Sequence, residues 1–269
     1  MTEDNRKEVI ESLRLFDDVF MKRCFKNHKE CVELVVRIVL NNKELQFVEF
    51  KDQEILPNID GKSAILDFVI KDDKGKYYDV EIESAKSNAS GYQRRARFYS
   101  SLLDTYYLSK GSEYNELPDS YVIFFCEKDV IGRGKPLYVI NSKIQQTGEK
   151  FEDGRTIIVV NGEIEDDTPL GRLVRDFKLT DPNEMCYDVL RKARRTEMRN
   201  YFLTTGRPEN ELLDNYLKKY EDVARKEGRV EGRAERSIEV AKALLADGVP
   251  LEKVSQYSSI PVEELKNLK

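Results

Sequence analysis

Residues 63–84 read SAILDFVIKDDKGKYYDVEIES, and the layout of this stretch decides the fold. Leu66, Phe68 and Ile70 alternate along its first half, and Tyr78, Val80 and Ile82 along its second. Period-two alternation marks half-buried strands. Between the halves, Asp72-Asp73-Lys74-Gly75-Lys76 fits a type I turn followed by a glycine in the left-handed region, the three-residue hairpin loop. That loop pairs Asp72 with Lys76. Counting outward, it sets Asp67 across from Glu81, Ile65 across from Glu83, Leu66 across from Ile82, and Phe68 across from Val80. One face of the hairpin is then apolar, and the other gathers Asp67, Asp79, Glu81 and Glu83.

Opposed side chains in an antiparallel pair stand about 4.5–5.5 Å apart at Cβ, where like charges repel. A divalent cation held between the carboxylates relieves that repulsion. A solvated acidic strand face relieves it equally well, and spacing alone does not separate the two. A loop one residue shorter or longer would put Asp67 and Glu81 on opposite faces.

The chain has 269 residues, 40% hydrophobic and 35% charged, the composition of a water-soluble globular protein large enough for one large domain or two modest ones. No apolar run approaches the roughly 20 residues needed to cross a bilayer, so no membrane partner is expected. The opening MTEDNRKEVIESL has no signal-peptide pattern, and the expected compartment is the cytoplasm. Four scattered cysteines, Cys24, Cys31, Cys126 and Cys186, do not form a disulfide framework. Cys24, His28 and Cys31 fall at helical spacing. They make a weak zinc signal without a fourth ligand, and a buried helix face is the alternative. His28 is the single histidine, which argues against Ser–His–Asp, Cys–His and His–metal nuclease chemistry and leaves carboxylate–metal chemistry open. The net charge of −5 does not itself point to nucleic acid, although local patches count for more.

Residues 8–42 carry helical periodicity, with Asn41-Asn42 as the stop. Short strands follow at 44–50 and 53–56, then a loop at Pro57–Gly61 and the acidic hairpin. YQRRARFYSSLLDTYYLSKG reads as a helix over about 92–109. YVIFFCEK (121–128) is the continuous apolar run of a strand buried on both faces. PLYVI (136–140) and RTIIVVN (155–161) complete the strands, joined by glycine-containing segments that include IGRGK. Helices are expected at 169–178 and 184–203, then along a charged stretch from Glu209 to Gly248, weakened at Gly228 and Gly232. Three short helices read from the end of the chain. VPLEKVSQYSSIPVEELKNL has the outline of a helix-turn-helix. Glu263 and Glu264 at the start of its second helix would repel phosphate, which favours a packing, dimerising or regulatory tail.

This order of elements, carried by ILDFVIKDDKGKYYDVEIE, RRARFYSSLLD and YNELPDSYVIFF, resembles the core of PD-(D/E)XK nucleases. It is most similar to the Rpn-type recombination-promoting nucleases, the PD-(D/E)XK nuclease family transposases. The tail EGRVEGRAERSIEVAKALLADGVPLEKVSQYSSIPVEELKNL is similar to the helical end of those proteins. The resemblance implies an α/β fold: a restriction-endonuclease-like core with a mixed sheet flanked by helices over residues 1–180. An all-α region would follow over 181–269, with a long charged helix and a small terminal helical module.

For function, the resemblance implies Mg²⁺-dependent hydrolysis of DNA phosphodiester bonds, with Mn²⁺ able to substitute, linked to recombination or mobile elements. Asp67, Glu81 and the backbone carbonyl of Ile82 would hold the ion, with Glu33, or else Glu30, contributed by the first helix. Glu83 stands where the family carries Gln and the wider superfamily Lys. Glutamate cannot supply the lysine's positive charge, though some restriction enzymes of the superfamily carry it there. It can orient water, act as a base or hold a second ion.

The helix after the hairpin interleaves Arg94, Arg95 and Arg97 with Tyr92, Phe98 and Tyr99, and Arg95 and Tyr99 share a face. Packing on the sheet is its main role, with one or two arginines, and Tyr99, turned to DNA phosphates. A second basic run, Arg191-Lys192-Ala193-Arg194-Arg195, reads either as a DNA contact or as an ordinary solvated face. The competing functional reading is a catalytically weak or inactive DNA-binding or regulatory protein of the same fold. A third is a homo-oligomer built through the C-terminal helices.

Overall fold

The structure is a computed structural model that describes residues 3–56, 64–83 and 91–203, with isolated positions beyond. The order is α1 (Glu3–Ser12), α2 (Asp18–Lys26), α3 (Lys29–Val39), β1 (Phe47–Leu56), β2 (Ala64–Asp72), β3 (Tyr77–Glu83), α4 (Tyr92–Tyr107), β4 (Ser120–Cys126), β5 (Leu137–Ile140), β6 (Arg155–Asn161), α5 (Pro169–Lys178) and α6 (Asp188–Leu203). Six strands form one mixed sheet in the order β1-β2-β3-β4-β6-β5. The first three pair antiparallel, β3, β4 and β6 run parallel, and β5 returns antiparallel to β6. A parallel neighbour needs a crossover, and α4 supplies it between β3 and β4.

The continuous apolar run of β4 follows from cover on both faces. Val122, Phe124 and Cys126 lie in a cluster with Ala96, Leu102 and Leu103 of α4. On the opposite face Phe125 meets Phe177 of α5 and Phe16 at ring-centroid distances of 4.5 and 5.6 Å. Phe25 of α2 reaches Phe68 of β2 at 5.6 Å. On α3, Cys31, Val32, Val35, Val36 and Val39 form the buried stripe that helical spacing requires.

The single helical region expected over 8–42 is three helices. Asp17 accepts a hydrogen bond from the Arg14 N–H at 2.7 Å and closes the turn before α2, and His28 caps the break before α3. The two strands expected at 44–50 and 53–56 are one, β1, which carries Gln53 at φ 51°.

The chain divides into compact units at Met1–Asn210 and Glu211–Lys269, and α6 lies in the first of them. Arg194 explains why. Fully buried, it donates to the carbonyls of Thr180 at 2.9 Å and Glu11 at 3.1 Å and lies over the Phe20 ring. Glu197 on the same helix pairs with Arg23 of α2 at 3.1 Å. The loop at 57–61, nearly all of the charged stretch 209–248, Glu263, Glu264 and the expected oligomer surface lie outside the described residues. Among the described residues, no helix is long and apolar enough to cross a membrane.

Candidate active site

The hairpin turn fixes the site's register. Gly75 has φ 84°, a conformation open to glycine at little cost. Its N–H donates to Asp72 O at 3.1 Å, and the Asp72 N–H donates to Lys76 O at 3.0 Å. The buried Asp72 carboxylate also accepts from the Lys74 and Lys76 N–H groups and from the Tyr78 hydroxyl. The ladder then runs Lys71–Tyr77, Ile70–Tyr78, Val69–Asp79 and Phe68–Val80, the register that a three-residue loop dictates.

One residue further on, a side chain replaces the ladder. The Asp67 N–H donates to Glu81 Oε1 at 2.9 Å, and a backbone hydrogen bond from Ile82 supports the Asp67 carboxylate. The expected apolar face of Leu66, Phe68 and Ile70 breaks here. Leu66 joins the cluster of Val69, Tyr77 and Ala96 on the α4 side, whereas Phe68 lies against Phe25 and Phe50. The irregular Gln53 sits in β1 between the partners of Leu66 and Phe68, so the distortion is shared across both strands.

The acidic face is not a solvated one. Asp67 is 6% exposed, Glu81 5% and Asp79 0%. Burial pushes Glu81 up to about 8, with the charge of Asp67 adding to the effect. Burial raises Asp67 as well, against the opposing pull of Lys22. It holds Asp79 far above the usual carboxylate range, assisted by Glu81 and Asp67. Neither Asp79 oxygen meets a donor in hydrogen-bond geometry.

Two cations approach from opposite faces of the sheet. From α2, Lys22 Nζ stands 2.9 Å from Asp67 Oδ1 and 2.9 Å from Asp18 Oδ1. Burial works to lower the Lys22 pKa, but Asp67 and Asp18 outweigh it and leave the ammonium above its ordinary value. From α4, Arg95 pairs with Glu83 and lies over the rings of Phe124 and Tyr99 at 4.9 and 5.9 Å.

Asp67, Glu81, Glu83, Ile82, Arg95 and Tyr99 are therefore brought to one neighbourhood. Tyr99 is stacked on Phe124, and burial followed by the charge of Glu81 pushes its phenol up to about 12. Arg94 and Arg97 face solvent. Glu33 pairs along its own helix with Lys29 at 3.7 Å and Arg37 at 3.3 Å, and Glu30 meets His28. The helical acid whose charge acts on Asp67 is Asp18. The run 191–195 is engaged within the fold: Arg191 holds the Pro182 carbonyl and Asp188, Arg194 is buried, and Arg195 donates to Asn183. Lys22 is the residue that sequence reasoning missed. Its signal was the Asp18–Lys22 spacing, one helical turn, in DDVFMK.

The donor set is all oxygen, which suits a hard divalent cation. Among the described residues, no group of three His, Cys, Asp or Glu side chains is set to hold a metal ion. Two carboxylates do suffice for Mg²⁺, which keeps most of its positions for water and substrate. Cys24 and Cys31 are buried free thiols, in line with a packed helix face.

A mixed sheet with flanking helices and a buried acidic pair at the β2–β3 opening describes the restriction-endonuclease-like α/β class. The family model for PD-(D/E)XK nuclease family transposases matches residues 15–164, more than half of the chain, and the protein belongs to that family. Comparison with curated proteins and with solved structures returned no match.

Proposed function

We propose that the protein is a Mg²⁺-dependent DNA endonuclease in which Asp67 and Glu81 hold the ion. The observation that carries this reading is the buried Asp67–Glu81 pair with cations brought to its two sides by Lys22 and Arg95. A bound Mg²⁺, or Mn²⁺ in its place, supplies charge for the scissile phosphate and lowers the pKa of the attacking water. Lys22 supplies the fixed positive charge that Glu83 cannot, at a distance of 2.9 Å from Asp67. Glu83 orients the water by accepting its proton in a hydrogen bond, while Arg95 holds the carboxylate in place. The exposed Arg94 and Arg97 meet the DNA backbone. From the family's description as transposases we take a role in recombination or mobile elements. The cytoplasm is the proposed compartment, which suits four free cysteines.

A specific observation favours a second reading, a catalytically weak DNA-binding protein. Glu83 and Asp67 are both already neutralised within the chain, by Arg95 and Lys22. Purified full-length protein incubated with supercoiled plasmid and Mg²⁺ or Mn²⁺ separates the two. The nuclease reading expects nicked or linear product from the wild type and little from Asp67→Ala. Equal cleavage by both, or none by either, overturns it.

A further inference from the structure

The segment between β4 and β5 has no regular secondary structure, yet its backbone N–H groups from Ile131 to Lys135 are all committed. The Asp129 carboxylate accepts from the N–H groups of Ile131, Gly132 and Gly134 at 3.2, 2.9 and 2.8 Å. The Tyr138 hydroxyl accepts from Arg133 N at 3.2 Å and Lys135 N at 3.1 Å, and itself donates to Asp129 at 2.9 Å. Every N–H from Ile131 to Lys135 therefore ends on one of two side chains. Gly132 and Gly134 take φ of 71° and 62°, so the chain turns on both sides of Arg133. A backbone so engaged has no N–H left for an anion, and what the loop presents outward is the side chains of Arg133 and Lys135. Both are exposed, and neither has a carboxylate partner among the described residues.

The loop's position gives those charges a purpose. It leaves β4 directly beside Glu83, whose carbonyl accepts the Glu127 N–H at 2.8 Å. It re-enters the sheet where the Pro136 carbonyl accepts the Asn161 N–H at 3.0 Å. Val130, Ile131 and Tyr138 pack on the α4-side core together with Tyr92, the first residue of α4. Asp129 and Tyr138 both act on the Tyr92 phenol. The braced loop thus neighbours the end of α4 that carries Arg94, Arg95 and Arg97, at the same sheet end as Glu81 and Glu83.

We infer that the Asp129–Tyr138-braced loop is a DNA-backbone clamp, with Arg133 and Lys135 contacting phosphates of the duplex beside the Asp67–Glu81 site. This rests on the nuclease reading for its choice of partner, and it extends the site to a second element. Two cations without carboxylate partners, carried on a backbone that is already fixed, bind phosphate with less backbone ordering cost than cations on a loose loop. Each phosphate contact contributes about 0.9 to the slope of log affinity against log salt.

The test is fluorescence anisotropy of a labelled 30-base-pair duplex with the full-length protein in EDTA, across a salt series. Arg133→Ala/Lys135→Ala is expected to bind about tenfold more weakly and to lower the salt slope by about 1.8. The control Lys74→Ala/Lys110→Ala removes the same charge at the opposite end of the sheet and is expected to leave both unchanged. Equal behaviour of the two double variants, or no duplex binding by the wild type, overturns the clamp. Plasmid cleavage by the same preparations separates this from the nuclease reading. A lost slope without wild-type cleavage keeps the clamp and sinks catalysis, and cleavage with an unchanged slope does the reverse.

Discussion

The backbone N–H of Asp67 donates to the side chain of Glu81 at 2.9 Å, one residue past the last ladder pair of the hairpin, Phe68–Val80. The site is therefore built where two strands stop pairing and a carboxylate takes over the vacated donor. Glu81 has a structural duty in addition to its proposed chemical one, and the two are separable by substitution. Glu81→Gln keeps an acceptor for the Asp67 N–H, whereas Glu81→Ala leaves that buried donor unmet at a cost of about 1–3 kcal/mol. Chemical denaturation is expected to rank wild type and Glu81→Gln close together and Glu81→Ala clearly below. Both variants should lose plasmid cleavage.

Lys22 is expected to matter through Asp67. Lys22→Gln removes the cation from a buried carboxylate and should lower cleavage by about 10–100-fold, the usual range for a partner of a metal ligand. The same change lets burial act unopposed on Asp67, so the rising limb of the pH–rate profile should move to higher pH. A rate drop with no movement of that limb would assign Lys22 to the substrate instead.

Stability without metal should depend on pH in an unusual direction. Glu81 sits at about 8 in the folded chain, and Asp67 and Asp79 are raised too, in each case by burial first. The folded state then holds more protons than the unfolded one between the ordinary carboxylate range and about pH 8. The stability these groups contribute is complete at the acid end of that window and is lost as pH rises through it. The Tm in EDTA should fall between pH 6.5 and 8.5, and Glu81→Gln should flatten the fall. Mg²⁺ competes with those protons, so its stabilising effect should be larger at pH 8.5 than at pH 6.5.

Arg194 should behave as a core residue. Arg194→Ala abandons two backbone carbonyls and the face of Phe20, an expected loss of about 2–4 kcal/mol. Arg195→Ala should cost under about 1 kcal/mol. Anisotropy with duplex DNA should show no loss of affinity for Arg195→Ala. A loss there would restore the basic run 191–195 as a DNA contact.

These expectations mark where sequence was informative. Gly75 and the alternation on its two sides carried the hairpin register, because turn geometry and a period of two are local rules. The VIFF run announced a strand covered on both faces for the same reason. The Asp18–Lys22 spacing does not reveal the second partner of Lys22, because Asp67 lies far along the chain and only tertiary packing joins them. Arg194 looked like its neighbours Arg191 and Arg195, since one helix does not reveal which face another helix will cover. The break at Asp67, which returns Leu66 to the α4 side, lies beside the irregular Gln53 of a neighbouring strand, and no local rule joins the two positions. Glu33 rests on the resemblance, which expects an acid from the first helix, and its salt bridges to Lys29 and Arg37 are what helical spacing often provides.

The most direct test of the central claim is conversion of supercoiled plasmid by wild type and Glu81→Gln side by side, each in Mg²⁺ and in EDTA. The account predicts nicked or linear product from the wild type in Mg²⁺ alone, with Glu81→Gln at least about 10³-fold slower while equally folded. Cleavage by the wild type in EDTA, or by Glu81→Gln at the wild-type rate, would contradict it.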